Sequence, residues 1–209
     1  MQVLWSAIQR GYLRLIEPVA DWLVRRRVRP NTITTIGTIC AVVSGGIFAL
    51  GHISIAGTFL GVTAIFDVLD GTVARRTDRS STFGAFYDST LDRVSDGFIL
   101  GGLVVFYATS VKHHSTPMLV VALFGLIGTF LTSYTRARAE SLGLDAKVGL
   151  LQRPERIVLL AVPQAFFGLA LDGWVLAFIV SLLSVTAWIT ALQRMMFVHR
   201  TTSQGASTQ

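Results

Sequence analysis

Along most of this chain apolar residues do not alternate with polar ones; they run on. Six such stretches follow one another, at 31–51, 53–74, 83–109, 117–142, 154–171 and 174–198. A bilayer core about 30 Å thick is crossed by a helix of about 20 mostly apolar residues. The pattern therefore predicts an all-α integral membrane protein with six transmembrane helices, a domain spanning 31–200. Residues 1–30 differ. Leu4, Ile8, Tyr12, Leu15, Val19 and Trp22 recur at helical spacing, with Arg10, Arg14, Glu17, Asp21 and Arg25 on another face. That predicts an amphipathic helix lying in the membrane interface rather than a cleaved signal peptide. The polar tail 201–209 is expected to be disordered.

Composition agrees. Hydrophobic residues make up 52% and charged residues 14% of 209 residues, and the mean hydropathy is +0.59. One cysteine, Cys40, excludes an internal disulfide. The net charge of +6 would suggest nucleic acid in a soluble protein. Here its distribution matters more. Arginine and lysine crowd the N-terminal arm (Arg25, Arg26, Arg27, Arg29), the second link (Arg75, Arg76, Arg79), the fourth link (Arg136, Arg138, Lys147, Arg153, Arg156) and the C-terminal end (Arg194, Arg200). The opposite loops hold only Lys112. The positive-inside rule then predicts a multi-pass protein of the cell membrane with both termini and the chemistry on the cytosolic face, and no nucleic-acid partner. Two GxxxG pairs, Gly57/Gly61 and Gly97/Gly101, are expected to let helix backbones approach closely.

The candidate chemistry lies in carboxylates placed against the apolar pattern. Asp67, Asp70, Asp88, Asp92 and Asp96 fall within or at the ends of spans two and three. Charged groups there are costly and usually mark function. Asp67 and Asp70 share one helical face, as do Asp88 and Asp92. Antiparallel neighbours would bring both pairs together, where like charges call for a counter-charge. A hard divalent cation, or a pair of them, satisfies that need with oxygen ligands. The set contains no Cys or His cluster of the kind zinc prefers. Ion pairing with Arg75, Arg76 and Arg93, or a proton relay in a cation transporter, are the other readings of the same residues.

The residues run Asp67-Val-Leu-Asp70-Gly71-Thr-Val-Ala74-Arg75, then eight positions, then Gly84, Asp88 and Asp92. This string resembles the signature of the CDP-alcohol phosphotransferases, D-x2-D-G-x2-A-R-x8-G-x3-D-x3-D, with every fixed position filled. The resemblance implies a membrane enzyme that transfers the phosphatidyl group of CDP-diacylglycerol to an alcohol and releases CMP. It further implies two divalent ions, Mg²⁺ or Mn²⁺, held by Asp67, Asp70, Asp88 and Asp92, with Asp92 also the general base. Asn31, Thr32, Ile33, Thr34, Gly71, Ala74, Arg75 and Ser81 would bind the cytidine diphosphate donor. Homodimers are implied as well.

Two later segments resemble a bacterial branch of that family, the phosphatidylinositol-phosphate synthases. These are Tyr134-Thr135-Arg136-Ala137-Arg138-Ala139-Glu140 and Gln152-Arg153-Pro154-Glu155-Arg156, with Gln193-Arg194 near the end. Arg136 stands where the branch has lysine, and Gln152 where an acidic residue is common. By this resemblance Arg136, Arg153, Arg156 and Arg194 would hold the phosphate of a phosphorylated polyol. Inositol 1-phosphate is the expected acceptor and glycerol 3-phosphate the alternative.

Overall fold

The computed structural model describes residues 16–206, with side chains to Ser203. Among these residues the ordered elements are helices: α1 (16–25), α2 (Pro30–Ala49), α3 (Ile53–Arg76), α4 (Thr82–Thr109), α5 (Thr116–Ser141), α6 (Arg153–Phe167) and α7 (Trp174–Ala206), with a short 3₁₀ turn at Ala170–Gly173 before α7. Their bounds follow local chemistry. Ser81 and Ser115 cap α4 and α5 by accepting from Gly84 N and Met118 N, and prolines open α2, α5 and α6. The tail corrects one expectation. Helix α7 runs on to Ala206, so 201–206 is helical rather than disordered; Thr201 and Thr202 continue to bond backward onto α7 carbonyls. Of the amphipathic N-terminal helix, residues 1–15 lie outside the described residues.

Four helices, α2, α3, α5 and the one ending the chain, are long and apolar enough to cross a membrane. Of the remaining helices, α4 and α6 carry charged side chains within their apolar stretches. Helix α4 holds Asp88, Asp92, Arg93 and Asp96 between its start and its middle. Helix α6 has 15 residues, about 22 Å at 1.5 Å per residue. The outward faces are apolar: Ile39, Phe59, Phe98, Phe124, Phe178 and Val185 are all exposed. So much exposed hydrocarbon suits a lipid surround rather than water.

The helices close into a ring. Helix α2 packs on α3 and α4, α4 on α5, α5 on α7, α7 on α6, and α6 back on α3. Lipid offers no hydrophobic gain from bringing helices together, so close backbone packing and interhelical hydrogen bonds hold the ring. At the α2–α4 seam, a Cβ on Gly102 would lie 2.0 Å from Gly45 O, and one on Gly45 2.3 Å from Phe98 O. At the α3–α6 seam, Gly57 touches Ala165 and Gln164 in the same way. The GxxxG expectation is corrected in detail: Gly61 and Gly101 face open space, and Gly97 makes only ordinary contact with Phe130. Ser44 Oγ donates to Ala56 O at 2.9 Å across α2–α3, and Thr132 Oγ1 to Ala187 O at 2.9 Å across α5–α7.

One adjacency is missing from the ring. Helices α3 and α4, which carry the carboxylates, do not pack substantially on each other. Helix α2 holds both, and they diverge from it to leave a cleft. Helix α1 closes one end of this region: Ile16 and Ala20 bury against Ile33, Leu69 and Val73. Arg76 near the end of α3 pairs with Glu17 at 2.8 Å and with Asp21.

Candidate active site

The α3–α4 cleft holds a cavity of about 200 Å³. Asp70, Gly71, Ala74 and Arg75 line it from α3; Ser81, Gly84, Ala85 and Asp88 from α4; Pro30, Asn31 and Thr34 from α2; and Arg79 and Ser80 from the link. The small residues make the room. A Cβ on Gly71 would meet the Arg75 guanidinium at 3.2 Å, and one on Gly84 would meet Ser81 Oγ at 3.1 Å. Thr34 Oγ1 donates to Asp70 Oδ2 at 2.7 Å, so the start of α2 orients the buried carboxylate on α3. Arg75 is exposed and reaches back only to Thr72 Oγ1 at 3.4 Å, which leaves most of its donors for an anion.

Of the expected nucleotide residues, the structure gathers Asn31, Thr34, Gly71, Ala74, Arg75 and Ser81 around this cavity and leaves out two. Ile33 is 2% exposed and packs with Leu69 and Val73. Thr32 is exposed on the other side of the same turn. A helix that aims Asn31 and Thr34 into the cleft must turn the residues between them away. Arg79, Ser80, Gly84 and Ala85 also line the cavity and were not singled out for binding. Gly84 is a fixed position of the signature, and Arg79 and Ser80 sit in a polar link, so the signal was there.

Beside the cavity the four signature aspartates form one electrostatic unit. Asp67 and Asp88 act as like charges on both Asp70 and Asp92. The counter-charge is Arg153. Its Nη1 lies 2.5 Å from Asp67 Oδ2 and 2.8 Å from Asp92 Oδ1, and its Nε lies 3.6 Å from Asp96 Oδ1. Arg93 adds a longer contact of 3.5 Å to Asp92. Among the described residues no three Asp, Glu, His or Cys side chains already stand in ligating geometry. The donor set itself, four carboxylates from two facing helices, suits a hard divalent cation and not zinc.

Arg153 is placed by its own helix start. Gln152 N donates to Glu155 Oε2 at 2.8 Å, and Pro154 sits in the first turn. The four expected acceptor arginines therefore do not share one pocket. Arg136 and Arg194 line a polar cavity of about 260 Å³ with Lys147, Val148, Gly149, Leu151 and Gln152. Arg194 is fixed there by bonds to Val148 O at 2.9 Å and Thr132 O at 2.5 Å. Arg136 Nε donates to Glu140 Oε1 at 2.9 Å. Arg153 instead faces the carboxylates, and Arg156 is turned inward to Thr129 Oγ1 at 3.2 Å. Lys147 is the basic residue of this cavity that sequence reasoning used only for topology.

The profile of the family described as CDP-alcohol phosphatidyltransferase matches residues 27–198. The chain belongs to this family. Among its relatives, the phosphatidylinositol phosphate synthase of Mycobacteroides abscessus is 37% identical over 93% of this chain and 87% of its own length. The crystal structure of Mycobacterium tuberculosis phosphatidylinositol phosphate synthase with CDP-DAG bound superposes with a TM-score of 0.79 at 31% identity, covering 88% of this chain and 94% of that one. The same enzyme in complex with manganese and citrate gives 0.78 at 32% identity, covering 88% of each chain. Two of the helices that frame the carboxylate cleft, α2 and α3, are long and apolar enough to cross a membrane.

Proposed function

We propose that this chain transfers the phosphatidyl group from CDP-diacylglycerol to the hydroxyl of inositol 1-phosphate, releasing CMP and giving phosphatidylinositol phosphate. The observation that carries the reading is the α3–α4 cleft, where the signature residues of two helices face each other around one cavity. The resemblance to a relative crystallised with CDP-DAG supports the donor, and the naming of the relatives supports the acceptor. The basic cavity of Arg136, Lys147 and Arg194 suits a dianionic phosphate better than an uncharged alcohol.

In this reading Arg75 grips the donor's diphosphate while Gly71 and Ala74 allow the nucleotide to lie against α3. Thr34 keeps Asp70 turned toward it. Asp92 takes the proton from the attacking hydroxyl as that oxygen bonds to the lipid phosphorus and the bond to CMP breaks. Asp67, Asp70, Asp88 and Asp92 would hold divalent cations, Mg²⁺ or Mn²⁺ and two in number, which supply neutralisation of the diphosphate and of the charge on departing CMP. A relative crystallised with manganese supports this. Arg153, spanning Asp67 and Asp92, must then give way toward the acceptor's phosphate.

The same proposal places the protein in the cell membrane with six spans, α4 and α6 included. Both termini and the cleft would face the cytosol, since the basic residues gather at that end. Val19 and Trp22 of α1, 47% and 51% exposed, would lie in the interface. A homodimer is part of the proposal, and the exposed face around Gly46, Gly101 and Phe98 offers small residues for it.

The test is direct. Purified protein is incubated with CDP-diacylglycerol, Mg²⁺ or Mn²⁺, and a mixture of inositol 1-phosphate and glycerol 3-phosphate, and products are weighed by mass spectrometry. Phosphatidylinositol phosphate with stoichiometric CMP is expected. Phosphatidylglycerol phosphate as the sole product would overturn the acceptor assignment while leaving the reaction class intact.

A further inference from the structure

Behind the signature carboxylates lies a charged cluster that the signature does not include. Asp96 stands one helical turn beyond Asp92 on α4 and is only 8% exposed. Its helical neighbours Ile99 and Leu100 are buried core, so packing alone gives no reason for a carboxylate there. Arg153 and Arg156 from α6 bring positive charge to the position. Arg153 Nε lies 3.6 Å from Asp96 Oδ1. Asp96 and Arg156 line one cavity of about 40 Å³ together with Thr129 and Ser184. Asp96 Oδ2 and the Nε atoms of Arg93, Arg153 and Arg156 are all buried with no hydrogen-bond partner. Behind the ring, an Asp96 oxygen and the Nε donors of the two α6 arginines are thus left without a hydrogen bond.

Arg153 and Arg156 are three residues apart, on one face of α6. Two guanidiniums brought side by side out of water repel each other and lose hydration, and such a pair is tolerated only with a negative partner. Asp67 and Asp92 serve the outer end of Arg153. Asp96 alone serves its inner end, and among the aspartates it acts most strongly on Arg156. Without Asp96, Arg153 would have only Asp67 and Asp92 to pair with and would lie more firmly across the general base.

We propose that Asp96 is a positioning residue. It anchors the Nε end of Arg153 and the charge of Arg156 behind the carboxylate ring, so that Arg153, on leaving Asp67 and Asp92, stays beside the ring and turns its Nη groups to the acceptor's phosphate as the acceptor's hydroxyl comes to Asp92. This rests on the acceptor reading above. It assigns to α6 the delivery of the acceptor, while the α3–α4 cleft alone handles the donor.

Asp96→Asn removes the charge and keeps the shape. With CDP-diacylglycerol saturating, its KM for inositol 1-phosphate is expected to rise about tenfold, a change of about 1.4 kcal/mol. Its kcat should change much less, and its affinity for CDP-diacylglycerol should be that of the wild type. Asp96→Glu, which keeps the charge, should restore most of the acceptor KM, and Asp96→Ser takes the place of the Asn variant if that one fails to fold. An unaltered acceptor KM in a folded variant, or an equal loss of donor affinity, overturns the proposal. A second measurement does not need turnover: thermal unfolding of Asp96→Asn, Arg156→Gln and the double variant. Non-additive losses are expected of paired groups, and additive ones overturn the pairing. If the wild type transfers to no phosphorylated alcohol, the acceptor reading fails, and this cycle still decides whether Asp96 holds Arg156.

Discussion

The α2–α4 seam and the α3–α4 cleft sit side by side, and both are built from small residues. In the seam, Gly45 and Gly102 bring two backbones together until no Cβ fits between them. In the cleft, Gly71, Ala74 and Gly84 stand on helices that do not meet, and their smallness becomes volume for a ligand. A glycine on a membrane helix therefore carries no meaning by itself. What lies opposite decides whether it is a contact or a cavity. The polar groups divide the same way. At the neighbouring α2–α3 contact, Ser44 is spent on a carbonyl of the next helix, while in the cleft Arg75 is left largely free.

The largest test breaks the cleft and spares the seam. Asp92→Asn should lower transfer by about 10² to 10⁴-fold, the usual contribution of a general base. Its thermal unfolding should change little beside that loss, because Arg153 keeps Asp67 and Asp96 as partners and the helix seams are untouched. Turnover close to wild type would remove Asp92 from its role. The reverse test is Gly102→Val. The new side chain would collide with the backbone of Gly45, which cannot swing aside as a side chain can. Overpacking typically costs about 1–3 kcal/mol, and the rigidity of the contact points to the upper end. A large drop in melting temperature in detergent is expected, with activity lost in proportion to folded protein.

Two smaller effects sharpen the comparison. Gly71→Ala places a methyl against the Arg75 guanidinium, the far end of a flexible side chain. Stability should hardly move, while the KM for CDP-diacylglycerol rises by up to about tenfold, or about 1.4 kcal/mol. A fall in melting temperature with an unchanged KM would mean that Gly71 belongs to packing after all. Smallest of all, Arg76→Gln removes the half-exposed pairs to Glu17 and Asp21. Exposed ion pairs contribute about 0–1 kcal/mol, so the melting temperature should shift by no more than a few degrees, and less at high salt.

Much of the site was legible because its residues violate the pattern around them. Aspartates inside apolar helices, a glycine beside an aspartate and an arginine at a helix end stand out against a hydrocarbon background. Their spacing lies within single helices, where the period of 3.6 residues translates sequence into geometry. The arginines expected at the acceptor were harder. Arg136, Arg153, Arg156 and Arg194 come from three helices, and no local period relates them. They were expected to share one phosphate, and the structure instead divides them between a basic cavity, a carboxylate ring and a buried threonine. Ile33 and Thr32 show the same limit on a smaller scale, since their neighbours face the cleft and they do not.

The amino-acid order by itself determined the helices, the carboxylate ladder on two of them and the kind of ion and phosphate chemistry those groups suit. These properties depend on residues within a few turns of one another. Tertiary structure alone decided that α3 and α4 stand apart across α2, that Gly102 rather than Gly101 is the point of contact, and that Arg153 reaches across to Asp67 and Asp92. In lipid no hydrophobic force selects which helix faces meet. The choice falls to backbone fit and a few buried charges, and both are properties of the assembled ring.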